Sequence, residues 1–113
     1  MVISWSILSF TVPIDPLKNL EKLHLAENII KEIKNFDNLR KLQDLGLSKN
    51  KITELKGLEN LLRLNDIGLT KNLIPRAIYR KCRADDFEGF NARKCVEYCR
   101  NQIPKEDWKK EWS

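Results

Sequence analysis

The sequence predicts an α/β repeat solenoid: a short parallel concave sheet, a 3₁₀ or irregular convex side and a helical C-terminal cap. Three observations predict it. First, Leu42 to Asn50 (LQDLGLSKN) recurs 22 residues upstream as LEKLHLAEN and 22 residues downstream as LNDIGLTKN, with nothing inserted or lost. A fixed period of 20 to 50 residues signals stacked repeats. Second, the apolar period changes inside each unit. Leu23 and Leu25 are two apart, the spacing of a strand, whereas Ile30, Ile33, Phe36 and Leu39 are three apart. That second spacing fits a 3₁₀-like path, in which side chains at i and i+3 align. Third, the last part of the chain leaves the repeat and takes up helical periodicity.

The elements follow in order. Met1, Ile3 and Leu8 fall in register with Leu23, Leu25 and Ile30, so residues 1–11 read as a partial first repeat. No polar cap precedes it within the sequence, and an unpaired strand edge needs covering. Val2, Trp5 and Ile7 are expected to fold over that end, with a second copy of the chain as the other way to cover it. Full repeats start at 20, 42 and 64. Their return halves place Ile14, Phe36 and Leu58 in one column and Leu17, Leu39 and Leu61 in another, with Ile33 and Leu55 in a third that ends at Ala77. Because every unit has the same hand, the strands must be parallel and the Leu and Ile side chains must stack inward. Asn28, Asn50 and Asn72 sit where the chain leaves each strand. Their amides donate and accept at once, so a ladder of them can satisfy backbone groups that a curved path leaves unpaired.

LEKLHLAENIIKEIKNFDN and LQDLGLSKNKITELKGLEN resemble the 22-residue class of leucine-rich repeat. The resemblance covers about residues 1–78. It implies a curved solenoid that binds other proteins on its concave face. ARKCVEYCR is similar to the closing helix of short archaeal-type leucine-rich-repeat proteins and weakly resembles the helix after the repeats in Roc-GTPase proteins. The phosphate-binding G-x-x-x-x-G-K-[ST] pattern of a GTPase does not occur in this sequence.

Residues 79–113 are expected to form the helical C-terminal cap. Pro75 suits the first turn of a short helix, with Ile78 and Cys82 facing the last repeat. Ala84 to Asn91 reads as a loop anchored by Phe87 and Phe90. Asn91 is placed as the N-cap of a helix running to about Gln102. On it Ala92, Cys95, Val96, Cys99 and Ile103 mark one buried face. Pro104 breaks that helix, and Trp108 and Trp112 share a side of a final short one.

Composition narrows the function classes. With 42% apolar and 33% charged residues, the chain can form a core and stay soluble. Its longest apolar stretch, at the N-terminus, is too short to span a bilayer and lacks the basic start of a signal peptide. Cys82, Cys95 and Cys99 then read as free thiols in a reducing cytoplasm. Cys95 and Cys99 lie one helical turn apart, and Cys82 and His24 complete a conceivable ligand set, but no C-x-x-C occurs. Small cysteines on an inner helix face read as core, and no metal or other cofactor is expected. The net charge of +5 arises mainly after residue 70. Weak nucleic-acid binding through Arg76, Arg80, Lys81 and Arg83 is therefore a minor alternative.

The positions between the buried leucines remain for function. Lys22, Asp44 and Asp66 form one outward column, and His24, Gly46 and Gly68 a second. Ala26, Ser48 and Thr70 form a third, and Glu27, Lys49 and Lys71 a fourth. The expected function is a non-catalytic protein-interaction module with its partner on this face. No nucleophile–base pair accompanies His24, so an enzyme is not expected. The alternative is a self-associating or regulatory piece of a larger GTPase-type signalling assembly, joined through the N-terminal edge.

Overall fold

A computed structural model describes residues 2–4, 18–34, 36 and 38–103. Four three-residue strands, β1 (Val2–Ser4), β2 (Lys22–His24), β3 (Asp44–Gly46) and β4 (Asp66–Gly68), form one parallel sheet in sequence order. Two helices follow, α1 (Arg76–Cys82) and α2 (Ala92–Asn101).

The 22-residue period sets the register. Lys22 pairs with Asp44 and Asp44 with Asp66, Leu23 with Leu45 and then Ile67, His24 with Gly46 and then Gly68. β1 departs from the series: Ile3 lies opposite Leu23, not Leu25 as the partial-repeat register predicts, because β1 and β2 pair at an offset of 20 residues instead of 22. Backbone bonds extend each rung past its strand. The Leu25 and Leu47 amides donate to Gly46 and Gly68 carbonyls at 2.7 Å, and those of Glu27 and Lys49 to Ser48 and Thr70 at 2.9 Å. The strands are short because the chain must turn at once to bring its next apolar residue inward.

That inward set is dry. Leu23, Leu45, Leu47, Ile30, Ile52, Leu39 and Leu58 are fully buried, each stabilising the fold by roughly 1.5–3 kcal/mol relative to exposure. The return path consists of single i to i+3 turns, with the Leu39 and Leu61 amides donating to the Phe36 and Leu58 carbonyls at 3.0 and 3.1 Å. This matches the three-residue apolar spacing, although no continuous 3₁₀-helix forms among the described residues. Gly57 enters this path at φ 86°, where an added Cβ would lie 2.6 Å from the Ile33 carbonyl oxygen. Only glycine fits that approach.

The asparagines hold successive repeats together. Asn50 Nδ2 donates to its own Leu47 carbonyl at 2.9 Å and to Leu25 of the previous repeat at 3.0 Å. Its Oδ1 accepts from the Ile30 amide at 3.0 Å. Asn72 repeats the pattern with Leu69, Leu47 and the Ile52 amide. Asn28 donates to Leu25 and Ala26.

The C-terminal helices correct three expectations. Pro75 precedes α1 as its N-cap, outside the first turn. Ala77 is exposed on that helix and does not extend the Ile33–Leu55 column, since the return path is replaced by α1. Phe87 is 64% exposed and anchors nothing, whereas Phe90 is buried and meets Tyr79 edge-on at 5.0 Å. An antiparallel bridge between Arg83 and Phe90 closes the intervening loop. Asn91 caps α2, its side chain accepting from the Lys94 amide at 2.9 Å. Ala92, Cys95, Val96 and Cys99 are buried in the same core as the repeats, and Ile103 is half-buried. Trp5, Ile7, Trp108 and Trp112 lie outside the described residues, and the chain boundary placed at 78/79 falls inside α1.

Candidate protein-binding face

Strand alternation sends Leu23, Leu45 and Ile67 into the core, so their neighbours point outward. The register places Lys22, Asp44 and Asp66 side by side, with His24, Gly46 and Gly68 one step along. Lys22 and Asp66 are exposed and Asp44 is half-buried.

The columns interact diagonally. His24 Nε2 lies 3.4 Å from Asp44 Oδ2. The ring reaches across because Gly46, directly opposite His24, has no side chain: a Cβ there would touch the His24 Cδ2 at 3.4 Å. Beside the glycines, the Thr70 hydroxyl donates to Ser48 Oγ at 3.2 Å. The Ser48 hydroxyl also lies over Gly68, where a Cβ would come within 2.9 Å of Ser48 Oγ. Gly46 and Gly68 therefore form a bare strip of backbone, bordered by carboxylates on one side and hydroxyls on the other. His24 covers one end of it.

The fourth column behaves differently from its linear reading. Glu27, Lys49 and Lys71 have φ of 61°, 59° and 59°. This left-handed conformation is costly for residues with a Cβ, and here it turns the chain so that the following asparagine points inward. Lys49 Nζ then donates to Glu27 Oε1 at 3.2 Å, both side chains well exposed. Lys71 has no acidic partner among the described residues. The basic margin thus reduces to Lys71, since Lys49 is matched by Glu27. The left-handed backbone at these three positions does not follow from the linear columns. The signal available was the fixed polar residue before each asparagine.

The cysteines belong to the core. All three are free and buried. The Cys82 thiol donates to the Lys94 carbonyl at 3.8 Å. A hydrogen bond to Cys82, reinforced by burial, pushes the Cys95 thiol far above its ordinary value. The same bond holds Cys82 low against burial, with Lys81 and Lys94 assisting. Burial raises Cys99 to about 12. Among the described residues no cluster of three or more His, Cys, Asp or Glu is arranged to hold a metal ion. His24 lies on the outward sheet face, apart from these thiols. Arg76, Arg80, Lys81 and Arg83 are distributed around α1 and its end, and Lys81 lies 5.9 Å from the centre of the Tyr98 ring. No described helix is long and apolar enough to cross a membrane.

Residues 18–60 match the family model described as Leucine Rich repeats (2 copies). No curated protein matches the chain significantly.

Proposed function

We propose that this leucine-rich-repeat protein is a non-catalytic docking module, whose partner is another protein seated on the outward face of the sheet. The repeats stack as a solenoid with that face concave, and α1 and α2 cap its C-terminal end. The supporting observation is the bare Gly46–Gly68 strip between Asp44 and Asp66 on one side and Ser48 and Thr70 on the other. Backbone without side chains admits close approach, while the bordering groups supply directional hydrogen bonds and charge. Charge of this kind sets encounter rate and orientation more than affinity. Lys22, His24, Glu27, Lys49 and Lys71 complete the contact surface.

Leucine-rich-repeat domains generally mediate protein–protein interaction, which supports the class of function. The test is Asp44→Lys combined with Asp66→Lys. Both sites are solvent-facing, so the fold should persist by circular dichroism. Affinity capture with the double variant should lose the proteins that wild type retains. Recovery of the same set by both would remove this face from consideration.

A further inference from the structure

Beside the sheet, the loops that follow the asparagines carry a surface that the docking face does not include. Ile29, Lys51 and Leu73 occupy one register column, each one repeat apart. The Lys51 and Leu73 amides donate to the Ile30 and Ile52 carbonyls at 2.8 Å, fixing that column rung by rung. Ile29 is 51% exposed and Leu73 58%, unusual for large aliphatic side chains in a chain whose other repeat leucines are mostly dry. Together with Lys31, Lys51 and Thr53 they line an open groove of about 510 Å³. Lys51 also lines the neighbouring polar depression that contains Lys49 and Lys71. Lys31 and Lys51 have no carboxylate partner among the described residues, unlike Lys49, Lys56 and Lys94.

We propose that this loop edge is a docking groove for an acidic peptide segment carrying two aliphatic side chains. Charge complementarity selects the occupant: two unmatched ammonium groups, those of Lys31 and Lys51, line the groove beside two exposed aliphatic side chains. Spacing selects its form. Strand-to-strand separation of about 4.8 Å places Ile29 and Leu73 roughly 10 Å apart. An extended polyproline II segment presents side chains three residues apart on one side, about 9 Å from each other. Such a segment sets one aliphatic side chain on Ile29 and the next on Leu73, with its acidic groups at the lysines between and beside them. A bilayer is the poorer fit, because the aliphatic groups line a groove that a flat surface does not enter. The groove is separate from the Gly46–Gly68 strip, so its occupancy does not depend on the docking face.

The probe is a fluorescein-labelled ELDELDE peptide, followed by fluorescence anisotropy with the full chain. Saturable binding that weakens with added salt is expected. Lys51→Glu should weaken it at least about tenfold, as charge reversal at the centre of a complementary surface does. Ile29→Ser with Leu73→Ser should weaken it similarly. Replacing the acidic residues of the peptide by lysine, or its leucines by serine, should abolish binding. Asp44→Lys with Asp66→Lys should retain it. The groove variants change exposed groups and the Asp44 and Asp66 side chains face outward from the sheet, so all should melt with wild type. No saturable binding by wild type, or equal binding by Lys51→Glu, overturns the proposal. So does sedimentation of wild type with phosphatidylserine–phosphatidylcholine vesicles in the absence of peptide binding.

Discussion

His24 and Asp44 meet across the sheet, Nε2 to Oδ2 at 3.4 Å, although their strands pair each of them with a different residue. Gly46 makes this diagonal possible by leaving the position opposite His24 empty. One missing side chain therefore shapes both a polar contact and a stretch of accessible backbone. The pair is partly exposed, at 44% and 29%, so its contribution to stability is small. Its consequence is positional: the imidazole is held over the strip and not swung into solvent.

Gly46→Val tests whether that strip serves the fold or the surface. Gly46 does not adopt a left-handed conformation, and the nearest atoms to an added Cβ all belong to His24, at 3.4 to 3.9 Å. A β-branched residue suits a strand interior better than glycine. The variant is expected to be as stable as wild type or more so, by up to about 1 kcal/mol in urea denaturation. It should nevertheless lose partner binding, because the side chain fills the strip. A marked loss of stability would show that the glycine is there for packing.

Asn50→Asp should be far more damaging. The Asn50 amide nitrogen donates to both the Leu47 and Leu25 carbonyls. A carboxylate cannot donate, and it would set negative charge against those oxygens in a buried position. Leaving buried acceptors unsatisfied costs about 1–3 kcal/mol each, more beside a charge. A loss of at least about 3 kcal/mol is expected by chemical denaturation. Asn72→Asp should cost less, because Asn72 is only half-buried.

Lys49 tests the turn that aims Asn50. Its φ of 59° is accessible to glycine without penalty but strained for a β-branched residue. Lys49→Gly should change stability little or increase it, since the exposed pair with Glu27 contributes at most about 1 kcal/mol. Lys49→Val should destabilise by roughly 1–3 kcal/mol, the range for forcing an unfavourable backbone region. Equal stability of the two variants would contradict a backbone role for this position.

The sequence carried the register of β2, β3 and β4 and their buried columns, because these follow from a 22-residue period, whereas β1 pairs at an offset of 20 and its register was not legible from that period. Asn91 as a helix cap was equally legible, since its chemistry is local. Phe87 was not: a large aromatic in a loop suggests an anchor, yet Phe90 and Tyr79 fill that space and leave Phe87 outside. The left-handed turns at Glu27, Lys49 and Lys71 were only faintly marked, by the fixed polar residue before each asparagine, because charged residues carry no strong preference for that conformation. On the outward face the columns could be read, but the His24–Asp44 diagonal could not, because it depends on a side chain crossing between registers. The exposure of Ile29 and Leu73 agrees with their place at an open position of the repeat, in the column shared with Lys51.

Cys99 makes stability depend on pH in a direction that the folded state dictates. Burial raises its thiol from an ordinary value near 9 to about 12, with the Glu59 carboxylate and Cys82 adding to the effect and the Leu58 backbone opposing it. Below pH about 9 the thiol is protonated in both folded and unfolded chains, and its contribution is fully present. Between about 9 and 12 the unfolded chain loses the proton first, so it binds fewer protons than the folded one and stability falls as pH rises. One such group gives a slope of up to about 1.4 kcal/mol per pH unit. Cys95, raised by its bond to Cys82 and by burial, acts in the same direction. Urea denaturation under reducing conditions from pH 8.5 to 10.5 should therefore show a steeper decline for wild type than for Cys99→Ala, which starts lower by roughly 1 kcal/mol because of the small cavity it creates. If the two curves run parallel across that window, Cys99 does not govern the alkaline limb.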